Sequence, residues 1–285
     1  MAAGDVITGS EVTSIRSPRV MAARQLARRS ARQRARLFLA EGPQAVREAL
    51  EAGAVAELFV TAAARSRYGE LITEAAGHGP AVHAVSGEVM AELAQTITPQ
   101  GLLAACRFVD VPIEQLTAAA PRLVVLLANV RDPGNAGTVL RTADAAGADG
   151  VVFSDASVDP YNSKCVRASA GSLFHLPVVV GSPLGEAAAA LRRAGLRILA
   201  ADGSAGRELD DLEPDGGLAG PTAWLFGNEA WGLPGELLAL ADEAVAVPIY
   251  GRAESLNLAA AAAVCLYASA RAQRGSRAGT SVPAS

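Results

Sequence analysis

Along residues 36–108, short apolar runs alternate with amphipathic stretches. The switching between strand-like and helix-like periodicity predicts strands separated by helices. Strands are expected at 36–40, 56–61, 81–85 and 101–108. Helices are expected over 43–52, within 62–76, and up to Leu93 from an N-cap at Ser86. A second alternating stretch opens at 122. Residues 123–127 (LVVLL) are apolar throughout and read as a strand buried on both faces. A polar, Gly-bearing loop (129–137) follows, then a helix over 138–146 stopped by Gly147, then a strand at 151–153. Further strands are expected at 176–180, 196–201, 223–226 and 244–249, with helices over 184–194, after Pro234, and over 256–271. Repeated strand–helix–strand units build a mostly parallel sheet with helices on both faces.

The same pattern divides the chain. Residues 1–15 are expected to be disordered, 16–109 to form a basic arm and a small α/β domain, 110–121 to link, 122–274 to form the second domain, and 275–285 to fray. Within the arm, Pro18 suits a first helical turn and a basic helix is expected over 19–30. No apolar run approaches the ~18–20 residues of a membrane span. The longest apolar patch, 256–270, is broken by Asn257 and reads as a buried helix. The first residues lack a signal-peptide core, so the expected location is the cytoplasm. Cys106, Cys165 and Cys265 are too far apart in sequence for a metal knuckle or a disulfide framework, and no metal site is expected. His78, His83 and His175 form no ligand cluster; the first two are expected to be exposed or half-buried.

Charge changes the picture in one place. The net charge of −4 argues against a nucleic-acid binder, yet between Glu11 and Glu41 there is no acidic residue. That span carries Arg16, Arg19, Arg24, Arg28, Arg29, Arg32, Arg34 and Arg36. A block of one sign makes a local field that net charge conceals. Lys164 is the only lysine, so the preference for arginine reflects composition as much as phosphate recognition.

The candidate chemistry lies in three loops of the second domain. They are NVRDPGNAGTVLR (129–141), FGNEAWGLP (226–234) and VPIYGRAESLNLA (247–259). Each puts glycine beside Asn, Glu or Ser at a strand's carboxyl end, where parallel sheets bind ligands. Taken alone, any of these loops is equally well a structural turn; three in one sheet domain can converge on one pocket. None is the G-x-G-x-x-G fingerprint or a P-loop, and no G-x-S-x-G elbow is present. His175 reads as structural.

In this order the loops resemble the three signature motifs of the SpoU (TrmH) branch of the SPOUT RNA methyltransferases. The motifs read Asn135-Ala-Gly-Thr-Val-Leu-Arg141, then Gly227-Asn228-Glu229 with Gly232-Leu233-Pro234, then Val247-Pro248-Ile249 with Gly251 and Ser255-Leu256-Asn257. The stretch KCVRASAGSLFHLP (164–177) is similar to a further family segment. Val247 and Ile249 stand where Ile and Met are usual. The resemblance covers about 122–272 and implies a trefoil-knotted sheet domain. The first unit resembles, in pattern only, the ribosomal-protein-like substrate-binding domain that many members carry. The implied activity is methyl transfer from S-adenosylmethionine to a ribose 2′-hydroxyl of RNA, with ribosomal RNA expected first and transfer RNA next. The implied assembly is a homodimer, with no DNA or membrane partner.

By the same resemblance the catalytic residues are Arg141, Asn135, Glu229, Ser255 and Asn257. The cofactor contacts are Gly227, Val247, Ile249 and Leu256. RNA contacts are expected from Arg167 and, in the basic arm, from Arg24, Arg28, Arg29 and Arg32. Deletion of residues 1–36 is then expected to weaken RNA binding more than cofactor binding. The reaction is an in-line displacement in which a weakly acidic hydroxyl must lose its proton. A guanidinium is an awkward base because it holds its proton tightly. Either Arg141 is deprotonated by unusual surroundings, or it clamps phosphate and favours the alkoxide electrostatically. Glu229 is expected to orient Arg141 or to bridge subunits. The competing reading is a non-catalytic RNA-binding module on the same fold; the presence of Arg141, Asn135, Glu229, Ser255 and Asn257 counts against it.

Overall fold

The computed structural model describes residues 10–94 and 96–279. The chain forms two compact units: residues 1–109 with 161–175, and residues 110–160 with 176–285.

In the first unit the elements are α1 (Pro18–Gln25), α2 (Arg29–Ala35), β1 (Leu37–Glu41), α3 (Pro43–Glu51), β2 (Val55–Val60), α4 (Ala62–Arg67), α5 (Gly69–Gly77), β3 (Ala81–Ala84), α6 (Gly87–Leu93) and β4 (Leu102–Arg107). Its sheet runs β1-β4-β2-β3, with β4 antiparallel to both neighbours and β3 parallel to β2. The Ser86 hydroxyl accepts the Val89 N–H and starts α6 as expected. The basic stretch is two helices, not one. Their junction is closed by Arg32, which is only 3% exposed and donates to the Leu26 and Ala27 carbonyls at 2.9 Å. Val20, Ala23 and Leu26 pack into the core with Phe59, Val89 and Leu103. The arm is therefore part of the domain, and deleting residues 1–36 would strip a core wall as well as charge.

Residues 10–15 also depart from the expected disorder, because Val12 forms a parallel bridge with Val85 at the open edge of the sheet. Residues 1–9 lie outside the described residues. His83 is 2% exposed, not half-buried, since its strand faces the core beside Phe59; burial pushes its pKa down.

The second unit follows in order: α7 (Ile113–Ala118), β5 (Leu123–Leu127), α8 (Pro133–Ala146) and β6 (Gly150–Ser154). After α9 (Ser163–Ser169), which clusters with the first unit, come β7 (Val178–Ser182), α10 (Leu184–Arg193), β8 (Arg197–Ala201), α11 (Leu209–Leu212), β9 (Thr222–Phe226), α12 (Gly235–Leu238), β10 (Glu243–Val245) and α13 (Leu258–Gly279). The expected linker contains α7, pinned by buried Leu116, and Asp110 bridges Val178. α13 runs to Gly279, past the expected fraying point; 280–285 lie outside the described residues. The segment 161–175 packs Tyr161 against Phe38 and Phe108, with ring centroids 4.7 and 3.8 Å away, and its hydroxyl accepts the Val109 N–H.

The six strands run β10-β8-β9-β5-β6-β7, and every neighbouring pair is parallel. β5 and β9 are buried along their whole lengths. The chain winds outward from β5 to β6 and β7 on one side and fills the other side with β9, β8 and β10. The order reverses beside β5, so a crevice opens where β5 and β9 end. α8 starts five residues earlier than expected, since the Asp132 carboxylate accepts the Asn135 N–H at 2.8 Å and Pro133 takes the first turn. Among the described residues no helix is long and apolar enough to cross a membrane.

A polar contact inside the core helps to anchor α13. The Trp224 indole N–H donates to the Ser269 hydroxyl at 2.8 Å, with both side chains fully buried. Ser269→Ala should leave the indole donor unpaired and lower unfolding stability by about 1–3 kcal/mol. Urea unfolding followed by tryptophan emission measures this, and an unchanged midpoint would contradict it.

Candidate functional site

The ends of β5 and β9 are sewn together before any ligand is considered. Asn129, just past β5, has φ +57°, which turns the chain sharply. Its carbonyl accepts from Asn228 Nδ2 at 2.8 Å. Asn228 is buried, and its Oδ1 accepts the Ala230 N–H at 2.8 Å. The backbones of Asn228 and Gly232 bond to each other in both directions, at 3.0 and 2.9 Å. Residues 229–231 therefore form the tip of a tight hairpin. Gly232 has φ +67°, and a Cβ on Gly227 would lie 2.4 Å from the Gly232 carbonyl oxygen. Glycine at 227 is thus required by backbone packing against backbone.

From this hairpin Glu229 reaches the amino end of α8. Its carboxylate accepts the N–H groups of Arg131 (3.2 Å) and Asp132 (3.1 Å) and Asn135 Nδ2 (3.3 Å). An anion at a helix amino end satisfies donors that the helix leaves free and sits favourably in its dipole. Asn135 Oδ1 in turn accepts from Asn257 Nδ2 at 3.1 Å. Asn257 Oδ1 caps α13 by accepting the Ala259 N–H at 2.9 Å. One run of hydrogen bonds, Glu229–Asn135–Asn257, therefore joins all three sequence loops.

Beside it lies a cleft of about 570 Å³. The expected contacts Gly227, Val247, Ile249 and Leu256 all line it, as do Glu229, Ser255 and Asn257. Its apolar wall includes Phe226, Leu258 and Ala261, and Ile249 and Leu256 are about two-fifths exposed. Every charged residue lining the cleft is acidic: Asp202, Glu208, Glu229 and Glu254. Tyr250, next to Ile249 in the chain, bonds Asp210 through its hydroxyl, which raises the phenol's pKa.

Arg141 stands exposed on α8, two turns beyond the Asn135 end of the helix. The Glu229 carboxylate makes no hydrogen bond to Arg141; it faces the α8 backbone and caps the helix. Arg167 lies on α9 in the first unit, with its Nη1 buried and unbonded. Arg28 and Arg29 are exposed, and Arg24 pairs with Glu92 at 2.6 Å. Arg32 is a correction: its guanidinium faces backbone carbonyls inside the first unit, where RNA cannot reach it.

Asn129, Asp132 and Asn228 stand in the loops that the sequence marks, but their bracing role is visible only in the structure, as is the part that the β8 loop with Asp202 takes in the cleft. Asp132-Pro133 was a visible helix-start signal. The β8 loop had none, because only the strand order places β8 beside β9.

The sequence matches the SpoU rRNA Methylase family over residues 122–267 and an MRM3-like substrate binding domain over 17–104. It is 34% identical over 261 residues to the 23S rRNA (guanosine(2553)-2′-O)-methyltransferase RlmP of Bacillus subtilis, covering 90% of this chain and 98% of that one. The fold is similar to the AdoMet-bound rRNA methyltransferase of Sinorhizobium meliloti, with TM-score 0.81, 32% identity, and coverage of 92% of this chain and 97% of that one. It is likewise similar to the SpoU methyltransferase AviRb of Streptomyces viridochromogenes in complex with AdoMet, with TM-score 0.80, 30% identity and coverage of 91% and 100%.

Gly227→Ala should push the hairpin away from β9. We expect a stability loss of about 1–3 kcal/mol and faster amide exchange at Gly232. Native protection at that amide in the variant would contradict the packing argument.

Proposed function

Because the chain belongs to the SpoU rRNA methylase family, we propose that it transfers the methyl group of S-adenosylmethionine to a ribose 2′-hydroxyl of RNA, with ribosomal RNA the foremost substrate. The observation that carries this reading is the bonded run Glu229–Asn135–Asn257 at the mouth of a cleft beside Arg141's helix.

The cleft suits the cofactor. Its glycine and short apolar walls leave room for a flat adenine and expose main-chain groups, and its wholly acidic charge favours a ligand of net positive charge. Gly227, Val247, Ile249 and Leu256 would hold it. When bound, S-adenosylmethionine supplies a methyl group activated on a sulfonium. The chain's own residues then position the nucleophile. Arg141 is a fixed cation on a rigid helix; it would hold the substrate phosphate and stabilise the oxyanion that develops as the ribose hydroxyl loses its proton. Asn135, held from both sides by Glu229 and Asn257, would orient the ribose. Ser255, exposed on the third loop, would contact the substrate. Arg167 is assigned to RNA.

The first unit would add phosphate contacts through Arg24, Arg28 and Arg29. The exposed face of α13, with Val264 and Tyr267 both more than two-fifths exposed, offers the apolar surface for a homodimer. The threaded, knotted path expected of the sheet domain belongs to this reading, as does a cytoplasmic location.

The test incubates the purified protein with tritiated S-adenosylmethionine and either total ribosomal or total transfer RNA, then digests to nucleosides. Label is expected on ribose in the ribosomal pool. Arg141→Ala should lower kcat by about a hundredfold or more while cofactor affinity stays within about threefold. Label on a base, or full activity in that variant, would overturn the reading. Arg28→Ala with Arg29→Ala should flatten the log–log salt dependence of RNA affinity by about two. An unchanged slope would remove those two contacts.

A further inference from the structure

Of the eight large apolar side chains exposed among the described residues, four belong to the two loops that border the cleft: Trp231, Ile249, Tyr250 and Leu256. Single exposed apolar residues need no explanation, whereas a cluster at the mouth of a binding cleft marks an interaction surface. Ile249 and Leu256 line the cleft itself. Trp231 is different. It is 57% exposed at the tip of the hairpin closed by Asn228 and Gly232, between Glu229 and the residue that ends the tip.

The support beneath this ring is rigid. Asn228 ties the hairpin to β5, Glu229 ties it to α8, and Gly227 is packed against Gly232 backbone. A large ring on such a support loses little freedom when it is covered. The same loops also carry exposed positive charge. Arg131, Arg141 and Arg252 are all exposed on the first loop, its helix and the third loop. Exposed aromatic rings interleaved with arginines are the surface that holds unpaired nucleic acid, with bases on the rings and phosphates on the cations. A protein partner would need a wider continuous apolar face than these four side chains offer.

We propose that Trp231 is a base-stacking residue that holds an unpaired nucleotide of the RNA substrate beside the reacting ribose. The proposal rests on the RNA methyltransferase reading above. Every base has a π-face, so Trp231 selects for an unpaired nucleotide and not for base identity.

The molecule carries its own reporter. It has two tryptophans, and Trp224 is fully buried and bonded to Ser269. Adding a short oligouridylate to the full-length protein should quench the exposed emission, and the same strand annealed to oligoadenylate should quench it much less. Trp231→Phe should remove that quench, leaving the Trp224 signal. In anisotropy titrations with the labelled oligouridylate, Trp231→Ala should weaken affinity about tenfold and Trp231→Phe about twofold. On ribosomal RNA the alanine variant should raise KM about tenfold with kcat changed less than about threefold.

Equal oligouridylate affinity for wild type and Trp231→Ala overturns the proposal. So does a quench produced by S-adenosylmethionine alone, or by raising protein concentration without RNA, the latter placing the ring between two copies of the chain. Methyl transfer to ribosomal RNA with unaltered KM in the variant removes the stacking role and leaves the enzymatic reading standing. An oligouridylate-dependent quench in a protein that methylates no RNA does the reverse.

Discussion

A carboxylate at the amino end of a helix holds the site of the second unit together. Glu229 leaves the end of β9, crosses to the neighbouring strand's loop and takes the free N–H groups that precede α8. That position exists because the sheet reverses its strand order between β5 and β9, leaving their ends adjacent with no connection between them. Once Glu229 is there, Asn135 has a fixed partner on one side and Asn257 on the other, and the start of α13 is set by the same bonds. Arg141 inherits its position from α8. The cleft walls inherit theirs from the hairpin and from the segment leading into α13.

The two units use arginine differently. In the first, the arginine-rich stretch is built into the core by Val20, Ala23 and Leu26, and Arg32 spends its guanidinium on two carbonyls. A basic run that the sequence marks as an RNA-binding arm is thus partly a structural element. In the second unit, the arginines near the cleft are exposed while the cleft lining is acidic. A cation-favouring pocket beside an anion-favouring rim is what a positively charged cofactor and a polyanionic substrate together require.

Helix starts are only partly legible in this sequence. The Ser86 cap is legible because an apolar helical pattern follows it directly. The Asp132-Pro133 start is obscured by Gly134 and Gly137, which look like loop, yet the cap, the proline and Glu229 together sustain a helix through both glycines. Similarly, 247–249 read as strand from its apolar residues, whereas β10 ends at Val245 and the segment instead lines the cleft.

From sequence alone came the alternation of strands and helices, the division near residue 110, the three loops, and the residues within them that line one cleft. These are local properties, set by periodicity, by glycine and proline, and by which side chains stand at strand ends. Tertiary structure alone decided which loops meet. Strand order is a long-range property, so it took the fold to bring Glu229 to the amino end of α8, to add Asp202 to the cleft lining, to bury Arg32 and His83, and to leave Trp231 in solvent on a braced hairpin.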